Sequence, residues 1–167
     1  MSETVTNTDV IIIGAGPTGL SLACQLVRYG IDFVIIEKNP GVTTHSKAIG
    51  VQARTMEIYE QLGVVQQAID RGQIAGKIRI IADGKVRGEV DLSDMGEGLS
   101  PYPYLFILEQ SKNEQLLYDY LQSHHQEVWW QTELEHFNQD EQGVTAQVKT
   151  ADGASKSIVA KYSGLQV

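Results

Sequence analysis

Residues 9–38 read "DVIIIGAGPTGLSLACQLVRYGIDFVIIEK", and this stretch decides the fold. Val10, Ile11, Ile12 and Ile13 are four β-branched residues in a row, the pattern of a parallel strand buried on both faces. Glycines follow at 14, 16 and 19. Pro17 stands where a helix would begin, a place where its missing N–H has no helical partner to lose. Leu20, Leu22, Ala23, Leu26 and Val27 give that helix an apolar stripe, and Gly30 stops it. Residues 33–36 form a second apolar run, which Glu37 ends. The order is strand, glycine turn, helix, strand, acid.

A lone G-x-G-x-x-G is a weak signal. Here it leaves a strand, opens a helix and is followed by an acid 18 residues after Gly19, which is the context of a dinucleotide-binding βαβ unit. Gly14 permits the tight turn. A side chain at position 16 would block the approach of a pyrophosphate to the backbone, and Gly19 lets the helix lie close on the sheet. The N–H groups of the first helical turn then face the phosphates. Glu37 can accept hydrogen bonds from ribose hydroxyls, and its charge repels a 2′-phosphate. The fingerprint does not separate NAD from FAD.

The bulk of the sequence sets limits. With 167 residues, one domain with a sizeable core is expected. The net charge of −8 speaks against nucleic acid or an anionic membrane as partner, so an anionic cofactor must be held by local geometry. Cys24 is the single cysteine, which excludes an intrachain disulfide and fits a reduced, cytoplasmic setting. Cys24 reads as core packing. The polar start "MSETVTNT" is not a signal peptide, and no His and acidic residues show metal-ligand spacing.

Beyond residue 38 the reading is a loop to 48, a helix over 51–62 stopped by Gly63, and a short helix over 64–71. A hairpin over 77–82 and 85–92 turns at Asp83-Gly84. A Gly/Pro/Ser-rich loop covers 93–103, where Tyr102 and Tyr104 read as packing residues. A strand over 105–108 precedes a helix over 111–124, with Ser111 and Glu114 as a capping box and Leu116, Leu117, Tyr120 and Leu121 as its stripe. A short strand over 128–130 places Trp129 and Trp130 on opposite faces, one core and one surface. Runs at 133–138, 144–150 and 156–162 predict an antiparallel meander.

Three segments together resemble the FAD-dependent aromatic hydroxylases, single-component flavoprotein monooxygenases of the para-hydroxybenzoate hydroxylase type, and among them the phenol and polyketide hydroxylase branch. They are "GAGPTGL" at 14–20, "THSKAIGVQARTMEIYEQLGV" at 44–64 and "LEQSKNEQLLYDYL" at 108–121. The resemblance runs over residues 9–162. It implies that Gly14, Gly16 and Gly19, with Pro17 and Thr18 between them, hold the FAD pyrophosphate and that Glu37 holds the adenosine ribose. It sets Lys38 along the adenine edge and Lys47 where relatives carry an arginine facing the phosphates or the isoalloxazine. Gln110 is set against the ribityl or phosphate region, and Arg54 in a motif shared by the branch. Each of the last four has a plainer reading. Lys38 and Lys47 can be solvated surface cations, Arg54 can pair with Glu57 or Glu60 on an exposed helix, and Gln110 can cap its helix. No catalytic residue is assigned.

Enzymes of this family use NADPH or NADH and molecular oxygen to hydroxylate a small phenol-like ring through the bound flavin. The implied fold class is α/β: a partial Rossmann-like FAD-binding domain with a parallel sheet, a hairpin excursion and a β-meander. The implied division is a flexible N-terminus at 1–8, an FAD-binding domain at 9–162 and an atypical tail at 163–167. Members continue past an "AKY"-like strand with cofactor motifs and a substrate domain, whereas this chain reads "VAKYSGLQV". The expectation is therefore an N-terminal portion without a substrate domain, weak or inactive alone. An open sheet edge near residue 163 would allow self-association. Two alternatives stay open: an NAD-binding dehydrogenase domain, which would lack the meander, and a non-catalytic nucleotide-binding fragment.

Overall fold

In the computed structural model, residues 5–45, 50–93 and 96–165 are described. The chain begins with β1 (Val5–Ile13), α1 (Pro17–Tyr29), β2 (Phe33–Ile36) and the short β3 (Gly50–Val51). Helices α2 (Ala53–Leu62) and α3 (Val65–Arg71) lead to β4 (Gln73–Ile74), β5 (Lys77–Ala82), β6 (Lys85–Asp91) and β7 (Phe106–Ile107). Then come α4 (Gln110–Ser123), β8 (Val128–Trp129), β9 (Glu133–Asp140), β10 (Gly143–Lys149) and β11 (Ser155–Leu165). The α/β expectation, with parallel sheet, hairpin and meander, is borne out.

Two compact units divide the chain: Met1–Thr44 with Leu117–Val167, and His45–Leu116. The stretch expected as one FAD-binding domain over 9–162 therefore comprises both, and the division falls within α4.

The first unit is built on a six-stranded sheet in the order β8-β2-β1-β11-β10-β9. Strands β2, β1 and β11 run parallel, as do β2 and β8, while β11, β10 and β9 are antiparallel neighbours. Ile11, Val34, Ile36, Val144, Ala146, Val148, Ile158 and Ala160 form one buried apolar cluster. Leu20, Ala23, Cys24 and Leu26 of α1 are buried. Leu22, placed on that stripe by its spacing, is instead 36% exposed. It lies beside β11, where a Cβ built on Gly164 would meet its Cδ2 at 2.9 Å. β9 forms one edge of the sheet, and its exposed Glu133 and Glu135 are the kind of charge that blunts edge-to-edge pairing.

Four expectations are corrected here. Residues 5–8, assigned to a flexible N-terminus, belong to β1, because backbone pairing of Val5 with Ser157 and Thr8 with Ala160 needs no apolar side chain. Residues 163–165 of the supposed tail extend β11, with Ser163 beside Ile11, so this stretch is paired to β1 and the terminal strands of the sheet are β8 and β9. Trp129 and Trp130 are both partly buried, because β8 ends at Trp129 and strand alternation stops there. Trp129 packs against the apolar cluster, and the Trp130 indole N–H donates to the Tyr118 hydroxyl at 3.5 Å. Finally, α4 begins at Gln110 rather than after Ser111. The Asn113 N–H donates to the Glu109 carbonyl, and Glu114 accepts from the Gln110 side chain, so Ser111 lies inside the helix and not at its start.

The buried Cys24 thiol donates to the Leu117 carbonyl at 3.4 Å, and burial pushes its pKa up to about 12. Since the thiolate is the nucleophile, native protein at pH 8 is expected to leave Cys24 unmodified by a disulfide reagent over hours. Under denaturant the same thiol should react within minutes. Rapid stoichiometric labelling of native protein would contradict this burial.

The second unit holds α2, α3, a three-stranded sheet ordered β3-β7-β4 and the two-stranded β5–β6 hairpin. Met56, Tyr59, Leu62, Val64, Ala68, Tyr102, Phe106 and Leu108 are buried, and the Tyr59 hydroxyl donates to Asn113 Oδ1 at 2.6 Å. The hairpin turns at Asp83 and Gly84, both at positive φ, as the Asp-Gly signal predicts. β3 and β4 are two residues each, too short for any periodic pattern to announce. Among the described residues no helix is long and apolar enough to cross a membrane.

Candidate functional site

The carboxyl ends of β1 and β2 lie side by side, and the glycine turn leaves from there. Gly14 has φ +101°, a conformation that a side chain disfavours. Its N–H donates to the Ile36 carbonyl at 2.9 Å, which ties the turn to the end of the neighbouring strand. Gly16 is the N-cap of α1, with extended backbone and no side-chain cap, and Pro17 opens the helix. The Gly16 carbonyl accepts the first helical bond, from the Leu20 N–H at 2.9 Å. The N–H groups of Thr18 and Gly19 precede that bond and have no partner inside the helix. No acid occupies the first turn of α1, so the positive end of the helix dipole is not neutralised by its own side chains.

Glu37 stands one residue past β2. Its backbone N–H donates to the Trp129 carbonyl at 3.0 Å, and its carbonyl accepts from the Thr132 N–H at 2.9 Å. Its Oε2 accepts the Ala15 N–H at 2.9 Å. Its Oε1 accepts from both the backbone N–H and the side-chain amide of Asn39, at 2.9 and 2.6 Å. A carboxylate therefore lies directly against a bare helix start. The donor set fits a diphosphate at the turn and a sugar hydroxyl at the acid: uncapped amides, a positive-φ glycine where the chain bends, and an anchored acceptor.

Gly14, Gly16, Pro17, Thr18, Gly19 and Glu37 are thus brought together within the first unit, with Lys38 adjacent and exposed. Lys47 lies outside the described residues. Arg54 and Gln110 belong to the second unit. Arg54 Nη1 pairs with Glu57 Oε2 at 2.9 Å, with 73% of its side chain exposed. That hydrogen bond, with a second from the Ser100 hydroxyl, holds the Glu57 carboxyl below its ordinary pKa. Gln110, the first residue of α4, donates from Nε2 to Oε1 of the buried Glu114 at 2.8 Å.

Sequence reasoning passed over Asn39 and the turn after β8. The "NP" at 39–40 is a turn signal, but nothing in it says which acid the asparagine holds. The turn is marked by Gln131 at φ +51°, and its N–H donates to the Asn39 carbonyl at 3.1 Å. A left-handed glutamine leaves no trace in the sequence.

Comparison with known proteins gives a consistent result. The profile of the family described as FAD binding domain matches residues 7–163. A flavin-dependent monooxygenase of Mycobacteroides abscessus is 32% identical over 160 residues, covering 92% of this chain and 33% of that protein. The pentachlorophenol 4-monooxygenase of Sphingobium chlorophenolicum is 29% identical over 154 residues, covering 92% and 28%. Among solved structures, p-nitrophenol 4-monooxygenase from Pseudomonas putida superposes with a TM-score of 0.87 at 22% identity, over 98% of this chain and 41% of that one. The chain spans about a third of the length of the curated relatives it matches.

Proposed function

This chain belongs to the FAD binding domain family, and on that premise we propose that it is the FAD-binding portion of an NAD(P)H-dependent monooxygenase acting on a small phenol-like ring. The observation that carries the reading is the Glu37 carboxylate held against the Ala15 amide at the mouth of an uncapped helix. The relatives extend it to chemistry, since they are named as flavin-dependent and phenol-type monooxygenases, in keeping with the resemblance drawn from the sequence.

In this reading the amides of Thr18 and Gly19 meet the pyrophosphate, and Gly14 and Gly16 keep side chains out of its path. Glu37 takes the adenosine ribose, and Lys38 flanks the adenine. By the resemblance alone, Lys47 is assigned to the phosphates or the isoalloxazine and Gln110 to the ribityl or phosphate region. Arg54 is the weakest of the set, because its guanidinium is engaged by Glu57 on an exposed helix. The redox chemistry, hydride uptake from NADPH or NADH and transfer of one oxygen atom of O2 to the ring, belongs to the cofactor when bound. This chain's residues bind and orient it. The reading carries a cytoplasmic setting with it. The antiparallel β9–β10–β11 arrangement is the feature that the NAD-binding dehydrogenase alternative lacks.

Titration of purified chain with FAD, followed by quenching of flavin fluorescence, tests the reading with NAD as control. Saturable binding of FAD about tenfold or more tighter than that of NAD is expected. Equal affinity would favour the dehydrogenase alternative, and no binding of FAD would end the proposal.

A further inference from the structure

A carboxylate offers about four acceptor sites, two on each oxygen. On Glu37 three are taken by the protein itself. Oε1 receives the Asn39 N–H at 2.9 Å and the Asn39 side-chain amide at 2.6 Å, and Oε2 receives the Ala15 N–H at 2.9 Å. One site remains, on Oε2. Asn39 is in turn fixed from behind by the turn after β8, where Gln131 donates to the Asn39 carbonyl from a left-handed backbone. Such a conformation is disfavoured for a non-glycine residue, and the next residue, Thr132, is tied by its N–H to the Glu37 carbonyl. Backbone strain held by neighbours is a feature of segments that must be placed accurately.

We propose that Asn39 is a positioning residue: it locks the Glu37 carboxylate so that one oxygen is spent on the protein and the other bridges the glycine turn and a single ribose hydroxyl. The inference rests on the FAD reading for the identity of the sugar, but the lock itself exists without ligand. Asn39 touches no cofactor atom in this scheme and acts through Glu37 alone. With Asn39 in place the carboxylate receives one hydroxyl of the ribose rather than both. The same oxygen serves the turn, so the sugar and diphosphate subsites share one anchor.

Two measurements test it on the full chain. In the ligand-free protein, amide hydrogen exchange of Ala15 should speed up about five- to tenfold in Asn39→Ala, while the denaturant midpoint stays within error of the parent. Unchanged exchange at Ala15 would overturn the lock whatever the protein binds. With FAD, Asn39→Ala should weaken binding about five- to tenfold in the parent and less than about twofold in a Glu37→Ala background, the non-additivity expected of residues acting as one unit. Equal losses in both backgrounds would show that Asn39 acts independently of Glu37 and would overturn the proposal. If the parent failed to bind FAD, the cofactor reading would fall, and the Ala15 exchange would still decide the lock.

Discussion

Glu37→Ala is expected to lower FAD affinity about ten- to a hundredfold, since a hydrogen bond to a charged group contributes about 1.5–3 kcal/mol. The residue accepts from Ala15 at 2.9 Å, so the change also releases the glycine turn and lets its amides drift from the diphosphate. The affinity for ADP should fall by a factor similar to that for FAD, because both carry the adenosine ribose and its diphosphate. The affinity for FMN, which lacks the adenosine, should change much less. Glu37→Gln keeps one carbonyl acceptor and should fall between the two. Titrations of the three proteins with the three ligands decide the matter. An Ala variant that binds FAD as the parent does would remove Glu37 from the site.

Gly143→Ala should be the most destabilising single-methyl change in the meander. Gly143 has φ +142° at the tip of the β9–β10 hairpin, where Asp140 Oδ1 accepts the Gln142 and Gly143 N–H groups at 2.8 and 3.2 Å. A Cβ there would sit 2.5 Å from the Ala160 carbonyl oxygen and 3.4 Å from the Lys161 Cα. Both are backbone atoms of β11, and Ala160 is in register with the next residue, Val144. The disfavoured backbone and the forced shift each cost about 1–3 kcal/mol, so a loss of about 2–6 kcal/mol is expected by urea denaturation. A loss under about 1 kcal/mol would mean that the hairpin tip moves aside freely. Gly153→Ala, at the other hairpin of the meander, meets no atom within 4 Å. It should cost only the penalty of its positive φ.

The contrast between these sites shows what the sequence could and could not announce. The turn at residues 14–19 was legible because strand, glycines and helix are contiguous and each residue type has a local reason to be there. Glu37 was legible by its distance from Gly19. The hairpin at Asp83-Gly84 was legible because both residues tolerate the positive φ they adopt. What was not legible depends on partners far along the chain. Asn39 matters through Gln131 and Glu37, and residues 5–8 are ordered by β11, more than 140 residues later. Leu22 fits a helical stripe by its spacing, yet the stripe faces elsewhere, and only the approach of Gly164 explains its surroundings. Ser111 satisfies a capping pattern that the helix overran by one residue. Local patterns named the elements, and nonlocal pairing decided their ends.

The insertion of β11 between β1 and β10 has a bearing on biosynthesis. Once translated, β1 finds β2 almost at once, but its other neighbour is translated about 150 residues later, with Ile13 set beside Leu165. At about 5–20 residues per second, the nascent chain spends roughly 8–30 s with one margin of its most apolar segment unsatisfied. Closing so long a loop is a slow step. The glycine turn and the two strands that flank it are thus translated well before the strand that braces them, and chaperone shielding of β1 would matter most in that interval.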